Sequence, residues 1–425
     1  MALVSKYSNY SLRQAVIKAL KHLDGDYAYA IYDGENLAVL RDPVGVKPLY
    51  YGENKEKKVS AFASERKALW KIGIEKVKTL QPGYMLYNWE ITKINDILGS
   101  ILYKEVGSFK SISKTDLEGN GLKSPFKTYL GYNGLRYPFK TDINDYNSEI
   151  NLKNRLKDQL KDYLINSLKK RLRGLSKVGI MFSAGIDSTL LAYLCDDLGV
   201  ETLLYTVGHK NSVDAEFAQK TAIDMGLPIK IYKVEVEDVK NYFHLVLNAI
   251  EEFNIMKLGV GMPAYMAAEM AHEDDIKVML SGQGADELFA GYHRYLKLYQ
   301  EQGEETQNHL KEDISNIYQV NLQRDDAVTM AHSVELRVPY LDLDVINMAM
   351  NIPIKYKINS ENDPLRKCIL REVAQELGVP KEIVKRPKKA AQYGSGIHKM
   401  LVRQVLKDEE YMKTLNLERY SDGIK

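Results

Sequence analysis

Two cysteines in 425 residues are too few for a disulfide framework. Neither Cys195 nor Cys368 has the neighbour that a Cys-x-x-Cys zinc or sulfur-relay site needs. Each lies in an apolar helical pattern and is expected to be a small buried hydrophobe. No apolar run reaches membrane-spanning length, and Met1 to Asp24 lacks the apolar core of a signal peptide. A surplus of charge is also missing: 59 Lys and Arg against 57 Asp and Glu leave a net +2. That balance argues against nucleic-acid and membrane-surface partners. The Lys-rich stretch 153–173 alternates with Leu and Asp at helical spacing and reads as a solvated helix face. A cytoplasmic enzyme is the expectation. With 45% hydrophobic and 27% charged residues, the chain is long enough for two cores.

From Leu23 to Trp89 the text is strand-rich. Apolar runs at 27–32, 37–40, 48–51 and 60–63 are separated by the turn signals Asp33-Gly34, Asp42-Pro43 and Pro82-Gly83. Ser11 to Leu23 reads as a short helix leading into an antiparallel sheet. Residues 101–150, rich in Gly, Ser, Asn, Lys and Tyr, read as an irregular connection between a domain at 1–100 and another at 151–425. In the second, short apolar runs at 178–182, 202–207, 229–232 and 276–280 alternate with helical patterns at 187–198, 214–225, 238–253 and 262–273. That alternation predicts an α/β fold with a doubly wound parallel sheet. Beyond about Leu288 the pattern is helical throughout.

Two of these strands end in loops suited to phosphate. The first runs into Ser183-Ala-Gly-Ile-Asp-Ser188 and then a helix. The helix start offers unpaired N–H groups and the positive end of the dipole, and small residues let a phosphate approach them. Ser183 and Ser188 add hydroxyls, and Asp187 can hold magnesium. No Gly-Lys-Ser/Thr follows, so it is not a Walker loop. An ordinary capped turn would carry similar residues. The second strand empties into Ser281-Gly-Gln-Gly-Ala-Asp-Glu-Leu-Phe-Ala-Gly-Tyr292, where Asp286 could share the same ion.

The first loop resembles the Ser-Gly-Gly-x-Asp-Ser loop of the N-type ATP pyrophosphatases. The second resembles the Ser-Gly-Glu-Gly-Ser-Asp-Glu segment of the asparagine synthetase family and its β-lactam synthetase relatives. Val334–Asp342, Leu365–Glu372 and Arg386-Pro-Lys-Lys389 follow in that family's order. Leu23–Tyr32, Arg41–Tyr50 and Ala63–Ala68 resemble the distal half of a class II glutamine amidotransferase domain.

The resemblance implies an adenine nucleotide alpha-hydrolase-like sheet with a helical C-terminal part, preceded by a partial antiparallel α+β domain of Ntn type. It implies an ATP-dependent ligase, with ATP as substrate and Mg²⁺ as cofactor. Such an enzyme adenylates a small-molecule carboxylate, that of aspartate first among them, releases pyrophosphate, and lets ammonia displace AMP. By resemblance, Met181, Val207, Ser281 and Gly282 line the adenine and ribose site, and Ser183, Gly185, Asp187 and Ser188 bind pyrophosphate. Asp187 and Asp286 hold the metal. Lys388, or its neighbour Lys389, stabilises charge on the α-phosphate. Glu335 and Arg337 are expected to form an ion pair holding the last helices together, and Tyr292 to be core or active-site wall.

Three departures bear on function. Ala184 replaces the first Gly of the loop, which is tolerable unless φ there is positive. Gln283 replaces the second loop's Glu, an amide where a carboxylate could take a proton from ammonia. It is expected to keep a catalytic role with Lys388 and Asp286 by orienting the nucleophile or the acyl-adenylate through hydrogen bonds. Met256, Lys257, Leu258 and Gly259 replace the Thr-Thr-Ile-Arg run that helps recognise aspartate, leaving Lys257 as a candidate carboxylate partner. Amidation or cyclisation of another carboxylate therefore stays open, as does a catalytically silent nucleotide-binding subunit. No cysteine precedes Cys195, so the chain alone is not expected to hydrolyse glutamine. Its N-terminal strand edges are expected to be covered by a separate glutaminase-half chain or by a homo-oligomer.

Overall fold

A computed structural model describes residues 2–7, 9–20, 22–94, 129–130, 136–137, 146–210, 212–360, 363–387, 395–415, 417 and 420. Helix α1 (Leu12–Leu20) buries Leu12, Ala15, Val16, Ala19 and Leu20, the i, i+3, i+4 stripe of an amphipathic helix. Strands β1 (Ala28–Tyr32), β2 (Leu37–Arg41), β3 (Tyr50–Asn54), β4 (Val59–Ala63), β5 (Lys78–Thr79), β6 (Tyr84–Tyr87) and β7 (Glu90–Lys93) follow. They form two antiparallel sheets, ordered β1-β2-β6-β7 and β4-β3-β5. Asp33 makes the first hairpin: its Oδ1 accepts from the N–H groups of Glu35 and Asn36 at 3.0 and 2.7 Å. Alternation along β2 divides its side chains between two layers. Ala38 and Leu40 meet α1, and Val39 meets Leu49 and Leu80 of the other layer.

Most of the 101–150 connection lies outside the described residues. Within it Tyr129–Leu130 pairs antiparallel with Arg136–Tyr137, and helix α2 (Tyr146–Leu172) has begun before residue 150. The Lys-rich face of α2 backs a stripe of Leu156, Leu160, Leu164, Leu168 and Leu172, all buried in the main core.

Then come β8 (Lys177–Met181), α3 (Ile186–Asp197), β9 (Glu201–His209), α4 (Val213–Asp224), β10 (Ile229–Val234), α5 (Val236–Ile250), α6 (Ile255–Glu273), β11 (Val278–Leu280) and α7 (Ala285–Leu288). Helix α6 starts seven residues before the expected 262, because Asn254 caps it by accepting from Met256 N and Lys257 N. Gly259, Gly261 and Pro263 lie inside the helix. The expectation that the chain is wholly helical after Leu288 is corrected by β12 (Glu335–Arg337), which pairs in parallel with β11. Three residues are too short a run to show strand periodicity. The C-terminal elements used below are α8 (Gln323–Met330) and α9 (Cys368–Glu376).

The parallel sheet has the order β10-β9-β8-β11-β12. The chain builds outward from β8 to β10, then returns to the other side of β8 with β11. The carboxyl ends of β8 and β11 therefore lie side by side where the winding reverses, with Ile180 level with Leu280. Open parallel sheets bind ligands at that crevice. The N-terminal part meets this body through charged contacts: Lys47 Nζ lies 2.9 Å from Asp326 Oδ1. The Glu251 carboxylate accepts from Arg66 N and Lys67 N at 2.6 and 2.9 Å.

Candidate active site

The loop after β8 is held by its own hydroxyls. Ser183 N donates to Ser188 Oγ at 3.2 Å, and the two hydroxyls are 3.2 Å apart. Between them Ala184 has φ +50°, the condition under which its methyl group matters. The left-handed conformation costs an alanine about 1 kcal/mol or more, offset here by complete burial of the methyl group and by Arg386, whose guanidinium donates to the Ala184 carbonyl at 3.2 Å. Arg386 also bonds Asp214 Oδ1 at 2.6 Å and lies 3.8 Å over the Phe217 ring. The loop is thus braced from α4.

The second loop touches the first. A Cβ on Gly282 would lie 2.9 Å from Asp187 Cβ, so only glycine allows this approach. Gly284 has φ +91°, and a Cβ there would overlap Leu341. At Gly291 a Cβ would collide with Asp286 and Lys367.

Asp187 and Asp286 do converge, on the ammonium of Lys367. Its Nζ lies 2.7 and 2.6 Å from the two Asp187 oxygens and 2.6 Å from Asp286 Oδ1, and the lysine is fully buried. Lys367 caps α9 with φ +54°. Leu365–Glu372 carries it, but nothing in the spacing of that segment indicates a role, since Asp187 is 180 residues away.

These elements enclose a cavity of about 260 Å³. Met181, Ser183, Gly185, Asp187, Ser188, Val207, Ser281, Gly282, Gln283 and Asp286, ten of the expected site residues, all line it. Lys388 and Lys389 lie outside the described residues. The lining includes the apolar residues Val207, Val260, Pro263, Ala264 and Ala267, and also the serine hydroxyls of the first loop with Arg371 and Arg386. Those two arginines and Asp325 were missed in the sequence because each is placed by tertiary contact.

Other expectations are redirected. Lys257 Nζ pairs with Glu252 Oε2 at 2.6 Å and is not among the lining residues, so it is not placed to receive a carboxylate ligand. Glu335 and Arg337 do pair, at 3.0 Å. They do so within β12 and not between helices. Tyr292 is half-buried and packs against the main core, the first of the two expected places, and is not among the residues lining this cavity. Its hydroxyl donates to Glu287 Oε1 at 2.7 Å.

Burial pushes the Glu287 carboxyl up to about 7, with Asp286 beside it adding to the shift. An unfolded chain ionises this group near its ordinary 4.5. Between those values the folded state holds more protons, so stability falls as pH rises through the window. Glu287→Gln should remove that fall. Urea unfolding across the window should show wild type losing up to about 1.4 kcal/mol per pH unit relative to the variant. Parallel curves would place the carboxyl's titration elsewhere.

The asparagine synthase family model matches residues 159–312 and 299–421, and a glutamine amidotransferase domain model matches 3–71. A Methanocaldococcus jannaschii protein described as a glutamine-hydrolysing asparagine synthetase is 40% identical, covering 93% of this chain and 74% of its own length. The glutamine-hydrolysing asparagine synthetases of Gallus gallus and Saccharomyces cerevisiae are 25% and 23% identical. They are covered over 71% and 66% of their lengths.

Proposed function

The chain belongs to the asparagine synthase family of ATP-dependent carbon–nitrogen ligases, and from that premise we propose that it activates the aspartate β-carboxylate as its adenylate for amidation by ammonia. The observation that carries this reading is the convergence of two strand-end loops at the reversal of a parallel sheet, with Asp187 and Asp286 2.6 to 2.7 Å from one cationic point. ATP fits the cavity's polarity: the base against Val207, Val260 and Ala264, and the phosphates toward Ser183, Ser188 and the start of α3. Two converging carboxylates are hard oxygen donors suited to Mg²⁺. Asp187 and Asp286 would hold the ion, which would neutralise phosphate charge when bound. Arg371 and Arg386 add fixed positive charge to the lining.

The chain's own thiols do not suit glutamine hydrolysis. Burial pushes Cys195 up to about 12. Cys368 is raised too, by burial and by the Asp363 carboxylate that its thiol bonds at 2.9 Å. A thiolate is the required nucleophile, and neither side chain supplies one near neutrality. The test is AMP and asparagine formation from ATP and aspartate by the purified chain. Ammonium should support turnover, more strongly at alkaline pH, and glutamine should not. Glutamine-driven asparagine formation would overturn the nitrogen-source reading. AMP formed with no carboxylate, or none with any, would overturn the ligase reading for this chain.

A further inference from the structure

We propose that Asp325 is the general base that takes the proton from ammonia as it attacks the activated carboxylate, the role that Gln283 cannot fill. It rests on the acyl-adenylate reading above. Gln283 Nε2 donates to Asp325 Oδ2 at 2.6 Å. The other oxygen, Oδ1, accepts from Arg324 Nε at 2.7 Å. Asp325 sits in the first turn of α8, is only 3% exposed, and lines the same cavity as Ser281, Gly282, Gln283 and Asp286. A carboxylate is therefore present at this corner. It projects from α8 and not from the loop, and the loop's amide orients it.

Every carboxylate lining the cavity is paired with a cation: Asp187 and Asp286 with Lys367, Asp214 with Arg386, and Asp325 through Oδ1 with Arg324. In Asp325 the oxygen facing Gln283 meets a neutral donor. Each carboxylate oxygen has two lone-pair sites, so Oδ2 keeps one for an incoming N–H. The step balances without further reactants. The ammonia nitrogen forms a bond to the acyl carbon, the carbon–oxygen bond to AMP breaks, and one ammonia proton goes to Oδ2. AMP leaves with the electron pair.

A purely structural Arg324–Asp325 pair would brace α8 and do nothing to the second half-reaction alone. The half-reactions can be measured separately: ATP–pyrophosphate exchange with aspartate reports adenylation, and asparagine formation with ammonium reports amide transfer. Asp325→Asn should keep exchange within about threefold while asparagine formation falls about 10²-fold. The gap to wild type should narrow as pH is raised, because hydroxide can replace the lost base. The exchanged pair Gln283→Glu/Asp325→Asn returns a carboxylate to the corner with the hydrogen bond reversed, and should recover at least about tenfold over Asp325→Asn. Wild-type asparagine formation by Asp325→Asn, an equal loss of both half-reactions, or no recovery in the exchanged pair would each overturn the proposal. If wild type shows no exchange at all, it is the adenylate reading that fails, and the base assignment with it.

Discussion

Replacing either Asp187 or Asp286 by Asn is expected to abolish ATP–pyrophosphate exchange, a loss of at least about 10³-fold, while leaving the protein folded. Carboxylates do not stabilise phosphate charge themselves; in this reading they act through the Mg²⁺ they would hold, which would neutralise that charge. The two carboxylates are the acids that the two loops bring to one point. Neither substitution strands Lys367, because the remaining aspartate still pairs with its ammonium. Asp187→Asn leaves Asp286 Oδ1 at 2.6 Å, and Asp286→Asn leaves both Asp187 oxygens. Melting temperatures close to wild type should therefore accompany the loss. Wild-type exchange in both variants would remove these residues from the ATP site.

Lys367→Met should show the reverse pattern, a failure of stability first. The lysine is fully buried, and the carboxylates it joins are nearly so, with side-chain exposures of 12% and 16%. Removing one partner of a buried ion pair leaves charge without compensation, at a cost of about 3–5 kcal/mol. The positions around it cannot relax: Gly291 has no room for even a Cβ beside Lys367 and Asp286. Equilibrium urea unfolding gives the size of the effect. Millimolar Mg²⁺ should raise the variant's melting temperature more than the wild type's, since two bare carboxylates then face each other across a hole. A variant as stable as wild type would show that the aspartates do not depend on this lysine.

The two loops were legible in the sequence for local reasons. Each needs small residues, a strand before it and a helix start after it, and those requirements fall within a dozen adjacent residues. The alternation of strands and helices from 177 to 280 was legible for the same reason, since periods of two and 3.6 are properties of neighbours. Segments governed by distant contacts were not. Helix α6 has a glycine at 259 because a Cβ there would lie 2.5 Å from His398 Nδ1. Strand β12 is a strand only because β11 lies beside it. Lys257, the apparent substitute for a lost arginine, is a different case: its partner Glu252 is only five residues earlier, but it lies before the helix start, outside the i, i+3 and i, i+4 spacings that mark helical pairs.

Sequence determined the parallel α/β body and the paired loops, because side-chain size and hydrogen-bonding capacity restrict short segments directly, and the family resemblance implied ten of the residues that line the cavity. The tertiary structure alone decided which cation sits between the aspartates and which carboxylate stands beside Gln283. Lys367 is 180 residues from Asp187, and Asp325 is 42 from Gln283. At such separations proximity follows from strand order and helix placement, which no spacing along the chain records.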